Sequence, residues 1–389
     1  MTGAGENFTR SVCLAKKYFS LNNQITMKCQ YLNPVVIDLF CGVGGLTCGL
    51  RQAGLNVVLG VDNDISCQFA YEYNNTGTKF LCRDVAQITY RDLKDFYLNS
   101  KARILVGCAP CQPFSTYAKR YQKTGRKDEK WQLLYSFANL IQNLRPEIVS
   151  MENVPGLLKE EIFNDFLVTL KNLNYFVDFG VVFCPRYGVP QNRRRLVLLA
   201  SVFGEIRLPP PTHDIEYPTV RQAIATLPAL TAGGTDPKDI LHRCSRLSEL
   251  NLRRIQASQA GGTWRDWELG LQLECHQKRT GRSYPSVYGR MKWDEPSPTI
   301  TTQFFGLGNG RFGHPEQDRA LSLREGAILQ SFPHDYQFVE PGQPFSFKKV
   351  GQMIGNAVPP AIGLAIGKSI LQHLKTKQDM WTDSDVFSK

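Results

Sequence analysis

The chain has 389 residues, room for one large and one smaller domain at roughly 150 residues each. With 46 Lys plus Arg against 35 Asp plus Glu (net +11) and 42% hydrophobic residues, it is neither a disordered chain nor a small fold dependent on covalent staples, and its charge favours a polyanionic partner. Its 11 cysteines, an odd number scattered from Cys13 to Cys275, argue for reduced thiols rather than a secreted disulfide framework. No apolar segment follows Lys16 and Lys17, and no charge-free run approaches about eighteen residues, so a cytoplasmic setting without a membrane span is expected.

Residues 1–32 read as a polar N-terminal extension. From Val35 onward, short apolar runs alternate with longer amphipathic ones. Strands are predicted at 35–40, 57–61, 104–106, 148–151, 177–183 and 195–200, with one more before Asp84. Helices are predicted at 46–53, 65–73, 131–144 and 163–173. Parallel strands need such helical crossovers, so 33–207 is expected to form an α/β domain with a mixed, mostly parallel sheet. A proline-rich stretch at 208–218 marks a hinge into a second region, 208–320. Within it, residues 242–293 carry ten Lys or Arg against four Asp or Glu and show no long periodic helix, so loops and short strands are expected, with Trp264 and Trp267 in its core. Periodicity returns at 321–329 and 361–374, which predicts that 321–389 goes back to the first domain.

The segment Val36-Ile37-Asp38-Leu39-Phe40-Cys41-Gly42-Val43-Gly44-Gly45-Leu46 places strand, glycine turn and helix in the order that binds a nucleotide-like group, because glycine allows positive φ and the helix start offers unpaired N–H donors. Asp62 ends the next strand about twenty residues later, where a carboxylate can accept both ribose hydroxyls. Asp84, after the third strand, is placed to receive an adenine amino group. The glycines do not match a P-loop.

The run Ile104-Leu105-Val106-Gly107-Cys108-Ala109-Pro110-Cys111-Gln112-Pro113-Phe114-Ser115 is a strand entering a proline-bracketed loop at its carboxyl end, where open α/β sheets bind ligands. Cys111 is the candidate nucleophile there, since a thiolate is accessible near neutral pH and strongly nucleophilic. Cys108 reads as a structural thiol. The Cys-x-x-Cys pair lacks further spaced ligands, so no metal is expected.

These segments, together with Met151-Glu152-Asn153-Val154, Gln191-Asn192-Arg193-Arg194-Arg195, Leu323-Arg324-Glu325, Leu329-Gln330-Ser331-Phe332-Pro333 and Gly351-Gln352-Met353-Ile354-Gly355-Asn356-Ala357-Val358, resemble in order the motifs of the bacterial-type DNA (cytosine-5)-methyltransferases over roughly residues 34–370. The resemblance implies a Rossmann-like S-adenosylmethionine-dependent methyltransferase fold with a smaller target-recognition domain, S-adenosylhomocysteine as product, and Phe40, Gly42, Gly44, Gly45, Asp62, Asn63, Asp84, Pro110, Asn356 and Val358 as the cofactor-binding set. It further implies Cys111 adding to cytosine C6, Glu152 donating to N3, Arg195 contacting the flipped base or its 5′ phosphate, and Arg193 ordering the loop and carboxylate.

Double-stranded DNA is the expected partner, and the base must leave the stack to be reached. Residues 119–130 carry six Lys or Arg against two acidic groups and read as a loop closing over the phosphates. Gln112, Ser115, Lys119, Arg120, Arg253, Arg254, Arg265, Arg279 and Arg282 are the candidate DNA contacts. A monomer is expected, with a cognate restriction endonuclease or other phage-defence proteins as candidate partners. An RNA cytosine-5 methyltransferase and a catalytically inactive DNA-binding module are the competing readings. The basic insert between Arg195 and Leu323 disfavours the first, and the joint presence of Cys111, Glu152, Arg193 and Arg195 disfavours the second.

Overall fold

Apolar alternation along Val35–Leu39 (β1) sends Val35, Ile37 and Leu39 to one face of a sheet and Val36 to the other, and the chain builds a helical layer on each face. The computed structural model describes residues 33–110, 132–278 and 285–386, with side chains as far as Lys377. Strands β1, β2 (Asn56–Asp62), β3 (Lys79–Cys82), β4 (Arg103–Gly107), β5 (Ile148–Asn153), β6 (Phe176–Phe183) and β7 (Arg194–Ser201) form a seven-stranded sheet in the order β3-β2-β1-β4-β5-β7-β6. The first five run parallel; β7 is antiparallel to both β5 and β6.

Helix α1 (Gly45–Ala53) follows β1, and α2 (Gln68–Asn74) follows β2. The helix expected at 65–73 is split, because the Asp64 side chain accepts from the Ser66 N–H and winds Ile65–Cys67 into a tighter turn first. Helices α3 (Gln132–Leu144) and α4 (Glu161–Asn172) cover one face with Phe137, Ile141, Phe163 and Phe166.

Residues 208–320 are built from short pieces, including β8 (Thr235–Asp236), β9 (Asp239–Arg243) and α5 (Glu249–Gln256). Trp264, Trp267 and Leu271 form a small core of their own. A larger cluster joins this region through Ile300, Phe304 and Phe312 to α6 (Leu323–Leu329) and α7 (Phe347–Asn356).

Helix α8 (Pro360–Val386) then crosses the other face of the sheet and lies along α1, its Ile362, Ile366, Ile370 and Leu374 facing Leu46 and Leu50 at helical spacing. Contact is close enough that a Cβ on Gly49 would fall 2.0 Å from the Pro360 carbonyl oxygen. The stretch Phe347–Lys377 is, by length and composition, apolar enough to cross a membrane, yet 67% of its apolar window is buried in this core.

Candidate active site

Strands β1, β2, β4 and β5 all end at one edge of the sheet. Strand β7 runs the opposite way and therefore begins there, so Arg193 and Arg195 reach the edge to which β5 brings Glu152. A cleft of about 740 Å³ opens above it.

One half of the cleft is made by the glycine turn. Phe40 and Gly42 both have positive φ, +58° and +50°, a conformation that is strained for phenylalanine and free for glycine. The Gly42 N–H donates to Asp62 Oδ2 at 2.9 Å, and the Asp64 N–H donates to Oδ1 at 3.0 Å. No heavy atom lies within 4 Å of where a Gly42 Cβ would stand, so the backbone is bare toward the cleft. Asn63, Asp84, Pro110, Asn356 and Val358 line the same space.

Gly44 and Gly45 do not line it. A Cβ on Gly44 would meet Asn75 Nδ2 at 2.7 Å, and one on Gly45 would meet the Val358 carbonyl oxygen at 2.2 Å. Both therefore allow close packing of the turn, with no room for a side chain at either position.

Behind the turn sits Asp38, 1% exposed. Its Oδ2 accepts from the Thr47 hydroxyl at 2.7 Å, while Oδ1 has no partner. Burial pushes its carboxyl up to about 7, opposed by the Thr47 bond and reinforced by the nearby charge of Asp62. Burial also raises Asp62, with the two backbone donors pulling the other way.

The other half carries Glu152, 2% exposed. Its Oε1 stands 2.9 Å from Arg195 Nε, and its Oε2 accepts from the Cys108 thiol at 2.9 Å. Arg193 is buried beneath, donating to the Ile300 carbonyl at 3.1 Å and to Gln191 Oε1 at 3.3 Å, with its Nε unpartnered. Burial, aided by the adjacent Arg195 charge, lowers the Arg193 guanidinium to about 9, with Glu152 opposing. Asn153 Nδ2 donates to the Ala109 carbonyl at 3.1 Å, pinning the backbone just before Pro110. Cys111, Gln112, Ser115, Lys119 and Arg120, and the expected loop 119–130, lie outside the described residues.

A buried carboxylate flanked by two guanidinium groups, beside a bare glycine turn, can bind a planar polar ring next to a nucleoside and stabilise charge developing on that ring. The sequence description "C-5 cytosine-specific DNA methylase" matches residues 35–372. The chain belongs to this family. It is 54% identical over 344 residues to the Type II methylase M.HgiDII of Herpetosiphon aurantiacus, covering 87% of this chain and 96% of that one. It is 33% identical over 353 residues to the Type II methyltransferase M.Eco47II of Escherichia coli, covering 88% and 79%. Among solved structures, a candidate DNA modification methyltransferase encoded within an E. coli prophage superposes with a TM-score of 0.68 at 23% identity, covering 88% of this chain and 99% of that one, a likeness of fold.

The methylase transfers a methyl group from S-adenosylmethionine to C5 of cytosine in double-stranded DNA, sequence-specifically. Its residues fit that cofactor: the bare Gly42 backbone gives an adenosyl group room, and Asp62 and Asp84 each keep acceptor capacity on the cleft. Among the described residues no group of three or more His, Cys, Asp or Glu could hold a metal ion.

The small region of the methylase corrects one expected DNA contact. Arg254 is 6% exposed, donates to the Leu271 carbonyl at 2.9 Å and to Asn251 Oδ1 at 2.9 Å, and lies over the Tyr288 ring, so it holds the core together. Arg253 is exposed and 3.7 Å from Glu268; Arg265 lies over the Trp264 ring; Arg279 and Arg282 are outside the described residues.

Sequence reasoning missed other residues of the cleft. Lys349 lines it and donates to Asp64 Oδ2 at 2.5 Å, a contact spanning 285 positions that no local pattern signals. Gln352 and Met353 line it too, and their place in the motif beginning at Gly351 was the available signal.

Proposed function

We propose that the methylase attacks its target through Cys111, with Glu152, Arg193 and Arg195 managing charge on the cytosine ring. The buried Glu152–Arg195 pair at 2.9 Å supports this reading most directly. The Cys111 sulfur forms a bond to C6, the C5–C6 electron pair moves into the ring, and N3 takes a proton from Glu152. C5 is then an enamine carbon, nucleophilic enough to form a bond to carbon. S-adenosylmethionine supplies the methyl group as an electrophilic carbon on its sulfonium. A base removes the C5 proton, the electron pair returns to C5–C6, the thiolate leaves C6, and the N3 proton returns to Glu152. Arg195 holds the Glu152 carboxyl and faces the ring, while Arg193, bonded to the Ile300 carbonyl, supplies fixed positive charge beneath them.

The cytosine enters by leaving the duplex stack, at a cost of a few kcal/mol. Residues 119–130, with Gln112, Ser115, Lys119 and Arg120, would close over the strand, and Arg253, Arg265, Arg279 and Arg282 would meet phosphates or base edges. In this reading 33–207 with 321–389 is the catalytic part and 208–320 the target-recognition part. The names of the relatives as Type II methylases support a role in protecting DNA alongside a cognate endonuclease.

Cys111→Ser tests the central step. On duplex DNA carrying 5-fluorocytosine, the parent protein should form a denaturant-stable adduct; the variant should form none and transfer no methyl, while holding duplex affinity within about threefold, since the contacts to phosphate remain. Normal turnover by the variant would refute the assignment.

A further inference from the structure

Cys108 stands one residue beyond β4 and lines the cleft beside Glu152, because Gly107 pairs in register with Met151. Its thiol donates to Glu152 Oε2 at 2.9 Å. Burial, then the facing carboxylate, push this thiol well above the ordinary cysteine range, so it stays protonated and keeps its one donor; the Arg195 charge opposes them only in part.

The remaining surroundings of Glu152 pull elsewhere. Oε1 is close to Arg195 Nε but accepts no well-aligned hydrogen bond, and the buried Nε of Arg193 is an unfilled donor nearby. Arg195 also spends a donor on the Arg194 carbonyl at 2.8 Å. The ion pair with Arg195 thus holds Oε1 by charge without an aligned hydrogen bond to fix the plane of the carboxyl. Among the described residues, the one aligned hydrogen bond that it accepts from a side chain comes from Cys108.

We propose that Cys108 is a positioning residue for cytosine methylation: its thiol fixes the rotation of the Glu152 carboxyl so that this group meets the cytosine edge already oriented. The inference rests on Glu152 acting as the acid toward N3. Preorganisation of this kind acts on the chemical step and leaves ground-state binding alone.

The test uses full-length Cys108→Ala, Cys108→Ser and Glu152→Gln, with steady-state methylation of duplex DNA, solvent exchange of the cytosine C5 hydrogen, and thermal unfolding of each protein. One hydrogen bond lost at a buried carboxylate corresponds to about a tenfold effect. Cys108→Ala should therefore lower kcat and the exchange rate about tenfold, with KM for DNA and for S-adenosylmethionine within about twofold and the melting temperature lowered by no more than a few degrees. Cys108→Ser, which keeps a donor, should recover to within about threefold of the parent. Parent-like kcat and exchange in Cys108→Ala would overturn the assignment, as would a serine variant no better than alanine. Normal turnover by Glu152→Gln would instead remove the acid role of Glu152, and the purpose of the contact with it.

Discussion

At the residue scale, Asp38 shows how burial turns a carboxylate into a pH sensor of stability. Its folded value of about 7 lies above the ordinary 3.8, so the protein favours the protonated form. The stability tied to that proton is fully present below about pH 4 and is lost as pH rises through about 7. Asp38→Asn does not titrate. The melting temperature of the cofactor-free variant should therefore gain on the parent between pH 5 and pH 8, by an equivalent of roughly 3 kcal/mol. A gap that stays constant with pH would show that Asp38 is ionised throughout. The same scale shows where sequence reading stops. Glu152, Arg193 and Arg195 could be nominated from short motifs because their strand-end positions are local facts. Arg254 could not be told from a DNA contact, because what removes it from solvent is Leu271, Asn251 and Tyr288, brought together only by the fold.

At the scale of elements, the central strands β1, β4 and β5 were legible as apolar runs too short for a helix and followed by turn signals, and they are buried on both faces; β6, at the sheet edge, is largely exposed. Reversal of β7 was not legible as a strand-by-strand fact, since the run from Arg195 is equally apolar in either direction. Yet that reversal brings Arg195 to Glu152: a parallel β7 would begin at the opposite edge, a full strand length away. Seating of α8 on α1 is similarly invisible in propensities and depends on Gly49 lying against Pro360. Gly49→Ala should therefore destabilise the protein by about 1–3 kcal/mol in denaturant unfolding, because the methyl group has no room without separating the helices. An alanine variant as stable as the parent would mean that the two helices slide apart freely.

For the whole molecule, a net charge of +11 and a polyanionic duplex substrate call for an affinity carried largely by phosphates. Duplex binding should weaken by about tenfold or more as salt rises from about 50 to about 200 mM, in a mobility-shift or anisotropy titration. An affinity insensitive to salt would place the binding energy in base contacts instead.

The cleft draws its walls from Asp38 and Phe40 near one end of the chain and from Lys349 and Val358 near the other. During translation, the first wall leaves the ribosome some three hundred residues before the last is made. No nascent fragment can hold the methyl donor as the finished protein does, and a message cut short before Val358 yields a protein without this pocket rather than a partly active enzyme.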